Sequence, residues 1–200
     1  RGFFCEGCVP LFDDSAEGLQ GVSEIVKGLK IFSRIDSEES QWYDLNHCLN
    51  TTLTMVNNKL KYICKVEKQF ADLPKVYFNL GKLTQVFTNL LINAGQEIEV
   101  TGKQGVINIA TIREGDFVKV RIQDTGCGIS QENLEKVFNP FFTTKPEGQG
   151  TGLGLSITYG IIQEHGGQIQ VSSTPGEGSI FELALPINGL DDQQHSVAQH

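Results

Sequence analysis

The sequence predicts an α/β fold of the α+β kind, with strands and helices alternating behind one long leading helix. Three observations predict it. Residues 116–124 (DFVKVRIQD) alternate Phe117, Lys119, Arg121 and Gln123 against Val118, Val120 and Ile122, which is the period of a strand with one buried face. Residues 81–98 carry Leu83, Val86, Phe87, Leu90, Leu91, Ala94 and Ile98 at helical spacing. Near the start, Leu19, Val22, Val26 and Leu29 recur at alternating three- and four-residue steps, widened by Ile25 and Phe32, a coiled-coil-like seam.

The remaining elements follow in order. Residues 1–12 are apolar with Gly and Pro and read as the end of a preceding element. Asp13, Asp14 and Ser15 offer N-caps for a helix over 13–36. Its seam predicts burial in a helical bundle across a dimer; the lesser alternative is a helix lying on its own domain. Ser37-Glu-Glu-Ser-Gln41 is polar and predicts a linker, with a boundary near 37–44. A second helix is expected over 46–58 (Leu49, Leu53, Val56), a strand over 60–67 and a turn at Ala71–Pro74. The helix of 81–98 holds Gly95, which costs about 1 kcal/mol relative to Ala, and Gly102–Gly105 breaks it. Residues 106–113 and 116–124 form a hairpin around Glu114-Gly115. Ser130 caps a short helix ahead of Leu134, Val137 and Phe138. Residues 139–154 (NPFFTTKPEGQGTGLG) have no hydrophobic period, and a loop of that length in a compact domain is functional or mobile. A helix over 155–165, strands over 168–173 and 179–185, and a polar tail over 189–200 complete the chain.

Composition bounds the function. The 200 residues, 39% hydrophobic and 20% charged, suffice for one sizeable domain plus a smaller piece. A formal net charge of −8 argues against nucleic acid or an anionic membrane as main partner. No apolar run approaches the roughly 20 residues of a membrane span, and no signal peptide is read at the start. Five cysteines form no disulfide framework and predict a reducing cytosol. Cys5 and Cys8 have metal-site spacing, but no second Cys/His pair follows them.

Chemistry concentrates in two glycine-rich turns. The strand of 116–124 ends in Asp124, and Gly126 and Gly128 then turn the chain without side-chain bulk. A carboxylate at a strand end, in an apolar pocket, can accept a hydrogen bond from an exocyclic amine such as that of adenine. In the second turn, Gly150, Gly152 and Gly154 alternate with Thr151, Leu153 and Leu155, just before an apolar helix. Backbone N–H groups there suit an anion, most often phosphate. With Asn89 and Asn93 upstream, the pair of turns predicts a nucleotide site.

These blocks resemble the catalytic domain of bacterial sensor histidine kinases, in the GHKL (Bergerat-fold) superfamily that also holds gyrase and the heat-shock chaperone ATPases. Asn89-Leu-Leu-Ile-Asn93-Ala94 resembles the N box, and Asp124-Thr-Gly126-Cys-Gly128 the G1 box. Val137-Phe-Asn-Pro-Phe-Phe-Thr-Thr-Lys145 resembles the F box, and Gly150–Leu155 the second glycine box. All four occur in family order over about 45–187, and the helix ahead resembles the second helix of the dimerisation hairpin. The resemblance implies a two-layer sandwich, a mixed, mainly antiparallel sheet covered on one face by helices. It implies three segments: 1–40 from the dimerisation hairpin, 41–188 the ATP-binding catalytic domain, and 189–200 a disordered tail.

It also implies roles. Asp124 would accept the adenine amino group, with Gly126 and Gly128 passing close to the base. Asn93 would give a side-chain oxygen to Mg²⁺. Asn89, one turn earlier on the same helix face, would be catalytic and hold a phosphate or a metal-bound water. Residues 139–151 would be the ATP lid, with Lys145 on a phosphate. Gly150, Thr151, Gly152, Leu153, Gly154 and Leu155 would wrap the phosphates. Gln96 stands where many members carry Lys or Arg.

The hydrolysing members place a glutamate where this chain has Asn89, an amide that cannot act as a general base. This favours transfer to an outside acceptor: a protein-histidine kinase using ATP and Mg, working by positioning and charge neutralisation. No phosphoacceptor histidine is expected in this chain, because His47, His165, His195 and His200 lack the acidic and proline neighbours of the acceptor helix. Expected partners are a second copy through the hairpin and a response-regulator receiver domain, with no nucleic acid and no membrane contact from this segment. The expected location is the cytoplasm, in a soluble protein or as the cytoplasmic part of a membrane-bound sensor. The other reading is a degenerate module serving as a scaffold or ATP-driven clamp. A clamp should have glutamate at position 89, and a degenerate module should have lost Asp124, Asn93 or a glycine.

Overall fold

A computed structural model describes residues 39–146 and 150–189. The expected helix 13–36, the Cys5/Cys8 pair, His195 and His200 lie outside the described residues. The strands are β1 (Gln41–Tyr43), β2 (Cys64–Phe70), β3 (Val76–Phe78), β4 (Gly105–Glu114), β5 (Phe117–Asp124), β6 (Gln168–Thr174) and β7 (Gly178–Pro186). The helices are α1 (Leu45–Leu60), α2 (Leu80–Val100), the short α3 (Gln131–Leu134) and α4 (Gly154–Glu164). Five strands make one sheet in the order β2-β4-β5-β7-β6; β1 and β3 pair separately. Only β2 and β4 run parallel, which requires a crossover, and α2 lies within it. The fold is therefore the mixed, mainly antiparallel α/β arrangement expected.

Side-chain period decides which face carries the helices. Val118, Val120 and Ile122 of β5 are buried, as are Ile107 and Ile109 of β4 and Phe181, Leu183 and Leu185 of β7. Against this face α2 buries Leu83, Val86, Phe87, Leu90, Leu91, Ala94 and Ile98, flanked by α1 and α4. Burying each of the larger side chains fully is worth about 1.5–3 kcal/mol, so α2 is the keel of the domain. Gly95 has its reason here: a Cβ at that position would stand 2.5 Å from Leu60 Cδ2 of α1. The missing side chain leaves room for the end of Leu60 between the two helices.

Several expectations need correction. Residues 60–63 belong to the end of α1 and its turn, since Leu60 is buried on the helix and Ile63 N–H donates to Leu60 O at 2.9 Å. The strand starts at Cys64 and runs to Phe70. The polar stretch ends in β1 rather than in a free linker, with Gln41–Tyr43 paired antiparallel to Val76–Phe78. Three-residue strands are too short for a period to declare them. Ser130 precedes α3 without a side-chain cap; its carbonyl instead accepts from Asn133 and Leu134.

His165 fastens the ends of two helices together. Its Nε2 accepts from the N–H of Asn79, the N-cap of α2, at 3.1 Å. That bond requires the proton on Nδ1, which donates to Ile161 O of α4 at 2.7 Å. Burial holds the imidazole below its ordinary pKa, aided by Lys82 and opposed by the Ile161 bond and Glu164. A histidine whose folded pKa is depressed stabilises above the unfolded value of about 6.5 and loses that contribution as pH falls through the folded value. Wild-type chain should therefore lose thermal stability between about pH 7.5 and pH 5.5 more steeply than a His165→Gln variant. At the higher pH, His165→Ala should be less stable by roughly 1–3 kcal/mol, because Asn79 N–H is left without its acceptor. Denaturation curves at both pH values check both statements; parallel pH profiles would refute the first.

Candidate functional site

The period that buries Val118, Val120 and Ile122 carries through to Asp124, which is 3% exposed. Its carboxylate therefore points to the helix side of the sheet, where a polar group needs partners. Oδ1 accepts from Gly126 N–H at 2.8 Å and from Ser179 N–H at 3.3 Å. Both bonds fall on Oδ1, and no buried polar side-chain atom among the described residues lacks a partner. Burial raises the pKa of Asp124, the two backbone bonds oppose that, and Glu97 adds to it.

The turn after Asp124 is wedged between two neighbours. On one side Cys127 N–H donates to Glu97 O of α2 at 3.2 Å. On the other, Gly176 N–H donates to Cys127 O at 2.7 Å, and Ile129 N–H to Ser173 Oγ at 2.7 Å. Gly178, at φ 115°, is indispensable: a Cβ there would collide with the carbonyl oxygen of Asp124. The β6–β7 hairpin is thus pressed directly against the turn carrying Gly126 and Gly128.

Asn89, Asn93 and Glu97 follow one another at four-residue steps along α2, on one stripe of the helix. Asn89 Nδ2 donates to Gly154 O at 3.0 Å, with Thr158 Oγ1 at 3.4 Å, joining α2 to the first turn of α4. Asn93 Oδ1 accepts from Lys145 Nζ at 3.4 Å. The same ammonium donates to Gln96 Oε1 at 2.6 Å and lies 3.8 Å from Glu97 Oε1. Glu97 Oε2 in turn accepts from the Cys127 thiol at 2.7 Å. Burial first, then this bond to Glu97, pushes the thiol up to about 11, so Cys127 stays protonated and is a poor nucleophile.

Gly150, Thr151, Gly152, Leu153 and Gly154 lead into α4. Thr151 Oγ1 accepts from Leu153 N–H at 3.4 Å, and Gly152 O accepts from Phe141 N–H at 3.0 Å. Phe141 is the one non-glycine residue at positive φ (66°) among the described residues, and it is 71% exposed. No side chain caps α4, so its first N–H groups remain for an anion, while Leu155 packs on the core. The two glycine turns, the asparagines and Lys145 therefore surround one region beside α2. Sequence reasoning missed Glu97 and Ser179. Glu97 could have been found by extending the Asn89–Asn93 step once more; Ser179 acts through its backbone N–H, which no residue type declares.

Comparison with known proteins shows the family of the chain. A profile of the family described as "Histidine kinase-, DNA gyrase B-, and HSP90-like ATPase" matches residues 79–189. The sensor histidine kinase ZraS of Escherichia coli K12 is 40% identical over 151 residues, covering 74% of this chain and 31% of ZraS. The signal transduction histidine-protein kinase AtoS of the same strain is 36% identical over 181 residues, covering 88% of this chain and 28% of AtoS. This chain thus spans about a third of the length of such relatives. Among solved structures, the catalytic domain of histidine kinase ThkA superposes with a TM-score of 0.66 at 33% identity, covering 75% of this chain and 97% of that one. ThkA in complex with response regulator protein TrrA matches with a TM-score of 0.70 at 27% identity, covering 94% of this chain and 53% of that one. The profile runs from the N-cap of α2 to the end of the sheet and takes in both glycine turns, the asparagine stripe and Lys145. The chain belongs to the histidine kinase-, DNA gyrase B- and HSP90-like ATPase family.

Proposed function

We propose that this chain is the catalytic part of a sensor histidine kinase, which binds Mg-ATP and passes its γ-phosphoryl group to a histidine on a dimerisation helix outside this sequence. The observation that carries the proposal is the buried Asp124, whose Oδ1 is held by two backbone donors, leaving Oδ2 as the oxygen that would face a base. Such an oxygen is ready for the amino group of adenine. A base donating there would stabilise the ionised form that burial disfavours. The phosphates would then run toward Lys145 and the uncapped start of α4.

Mg²⁺ fits the same region, because Asn93 Oδ1 already accepts from a cation, the Lys145 ammonium. Asn93 would hold the metal through its amide oxygen, a hard ligand of the kind Mg²⁺ prefers. When bound, the metal would neutralise charge on the phosphates. Asn89, tied to Gly154 O through its nitrogen, would keep α2 and the phosphate loop in register. Its amide cannot take a proton from water, and Glu97, the carboxylate on the same stripe, is engaged by the Cys127 thiol and Lys145. Water activation is therefore disfavoured and transfer to a presented imidazole favoured. In that step the bond from the γ-phosphorus to the β–γ bridging oxygen breaks, a phosphorus–nitrogen bond forms, and ADP leaves. Positioning and charge neutralisation carry such a transfer.

The wider assignments rest on this reading. Residues 1–40 would contribute to the dimerisation hairpin, 41–188 the catalytic domain and 189–200 a tail. Partners would be a second copy of the chain and a response-regulator receiver domain, as ThkA has TrrA. Among the described residues no helix is long and apolar enough to cross a membrane, and a cytoplasmic place suits the use of ATP.

Asp124→Asn should weaken binding of a fluorescent adenine nucleotide by about tenfold or more, from roughly 1–3 kcal/mol for a mismatched buried polar group. Its unfolding midpoint should stay close to wild type. Unchanged affinity would remove the adenine assignment. With γ-labelled ATP, this chain alone should acquire no acid-labile label, because His47 and His165 sit in helix α1 and at the end of α4 without the acceptor pattern. Addition of a separate acceptor-helix fragment should produce acid-labile phosphohistidine on that fragment. Stoichiometric label on this chain itself would show that the acceptor lies within it.

A further inference from the structure

Gln96 and Glu97 have no part in the functions assigned above, yet they hold the ammonium of Lys145. Lys145 comes from the loop after α3, and its side chain is 23% exposed. It ends in three oxygens of α2: Gln96 Oε1 at 2.6 Å, Asn93 Oδ1 at 3.4 Å and Glu97 Oε1 at 3.8 Å. Gln96 provides the short bond and Glu97 the charge. Glu97 is itself fixed, through its other oxygen, by the Cys127 thiol, and through its backbone by Cys127 N–H. The resting place of the ammonium is thus built by α2 and the turn after Asp124 together.

We propose that Gln96 and Glu97 are positioning residues that park Lys145 on the Asn93 oxygen when no nucleotide is bound, so that binding of a metal–nucleotide proceeds by exchange of one cation for another. The proposal rests on the Mg-ATP reading of the site. Asn93 Oδ1 cannot serve an ammonium and a divalent cation on the same side, since the two repel at such separations. Lys145 is then driven off the Asn93 oxygen, and the incoming phosphate offers it charge in exchange for the Gln96 oxygen. A contact present only in the empty state lowers apparent affinity by the stability it adds to that state. Removing it should tighten binding, the reverse of what loss of an ordinary binding contact does.

Gln96→Ala decides the matter. It removes the shortest bond to Lys145 without changing net charge, whereas Glu97→Gln would favour any anion by its charge alone. Alanine also suits a helix interior, so the variant should fold. Two probes are titrated into wild-type and variant chains: adenosine, which has no phosphate and reads the Asp124 end, and a non-hydrolysable ATP analogue with Mg²⁺. The expected result is about two- to tenfold tighter binding of the Mg-analogue, as befits one partly exposed bond to a charged donor, with adenosine affinity unchanged. Equal or weaker binding of the Mg-analogue would overturn the exchange. A parallel gain for adenosine would overturn it as well, by placing the effect in the turn after Asp124. A wild-type chain that binds neither probe would overturn the nucleotide reading itself, a result distinct from the other two.

Discussion

The burial of α2 against the sheet is the constraint on which the rest of the site depends. One stripe of the helix, through Leu83, Val86, Phe87, Leu90, Leu91, Ala94 and Ile98, is sunk into the core. A helix held by so many fully buried side chains can neither rotate nor slide without opening cavities, at a cost of several kcal/mol for each large side chain uncovered. Asn89, Asn93 and Glu97 ride on the adjoining stripe, so their positions are fixed by apolar packing rather than by their own bonds. The same logic holds across the sheet. Asp124 points inward because it keeps step with Val118, Val120 and Ile122, and its depth follows from the pleat.

Glu97 joins these two rigid pieces. Its backbone and side chain both engage Cys127, while its other carboxylate oxygen faces Lys145. The consequences appear in the electrostatics. Burial above all raises the pKa of Asp124, and the nearby carboxylate of Glu97 adds to the rise. The thiol between them is held protonated, as a donor rather than a reactive sulfur. One ammonium offsets part of the negative charge from the loop side. The region thus combines a short supply of positive charge with a ready set of oxygens. Such a site binds a polyphosphate best in the company of a cation.

Most of the fold was legible because its main elements are long and periodic. The β4–β5 hairpin, α2 and the order of the last three elements follow from apolar spacing alone. What escaped was short or local. β1 and β3 have three residues each, so no period exists to read, and Leu60-Lys-Tyr-Ile63 looks like a strand although its first residue seals the end of α1. The parts of the site read from residue type, namely Asp124, Asn89, Asn93, Lys145 and the glycines, lie around one region. The parts that work through backbone atoms or through contact at a distance in sequence did not show. Ser179 donates from its main chain, Gly178 matters because the Asp124 carbonyl presses on it, and the ring of His165 reaches Asn79 across 86 positions. Gly95 reads as a cost in the sequence and becomes intelligible only when Leu60 is seen lying against it.

The two ends of the site differ in how they are built, and that difference bears on how affinity is divided. Around Asp124 the donors are backbone groups from β7 and the adjoining turn, locked by Gly178 and the β6–β7 hairpin, so a base would meet a surface already in place. At the other end, the cation sits on a long, flexible side chain from a loop, and Phe141 holds a left-handed backbone that costs of order 1–3 kcal/mol in a non-glycine residue. That strain is opposed by the bond from Phe141 N–H to Gly152 O, which ties the loop to the glycine turn before α4. Reorganisation on binding would therefore fall on the loop side, where the proposal puts the phosphates. On the proposed reading, the base end would set which nucleotide enters, and the loop end how much of its binding energy is spent on moving Lys145 and its neighbours into contact with the phosphates.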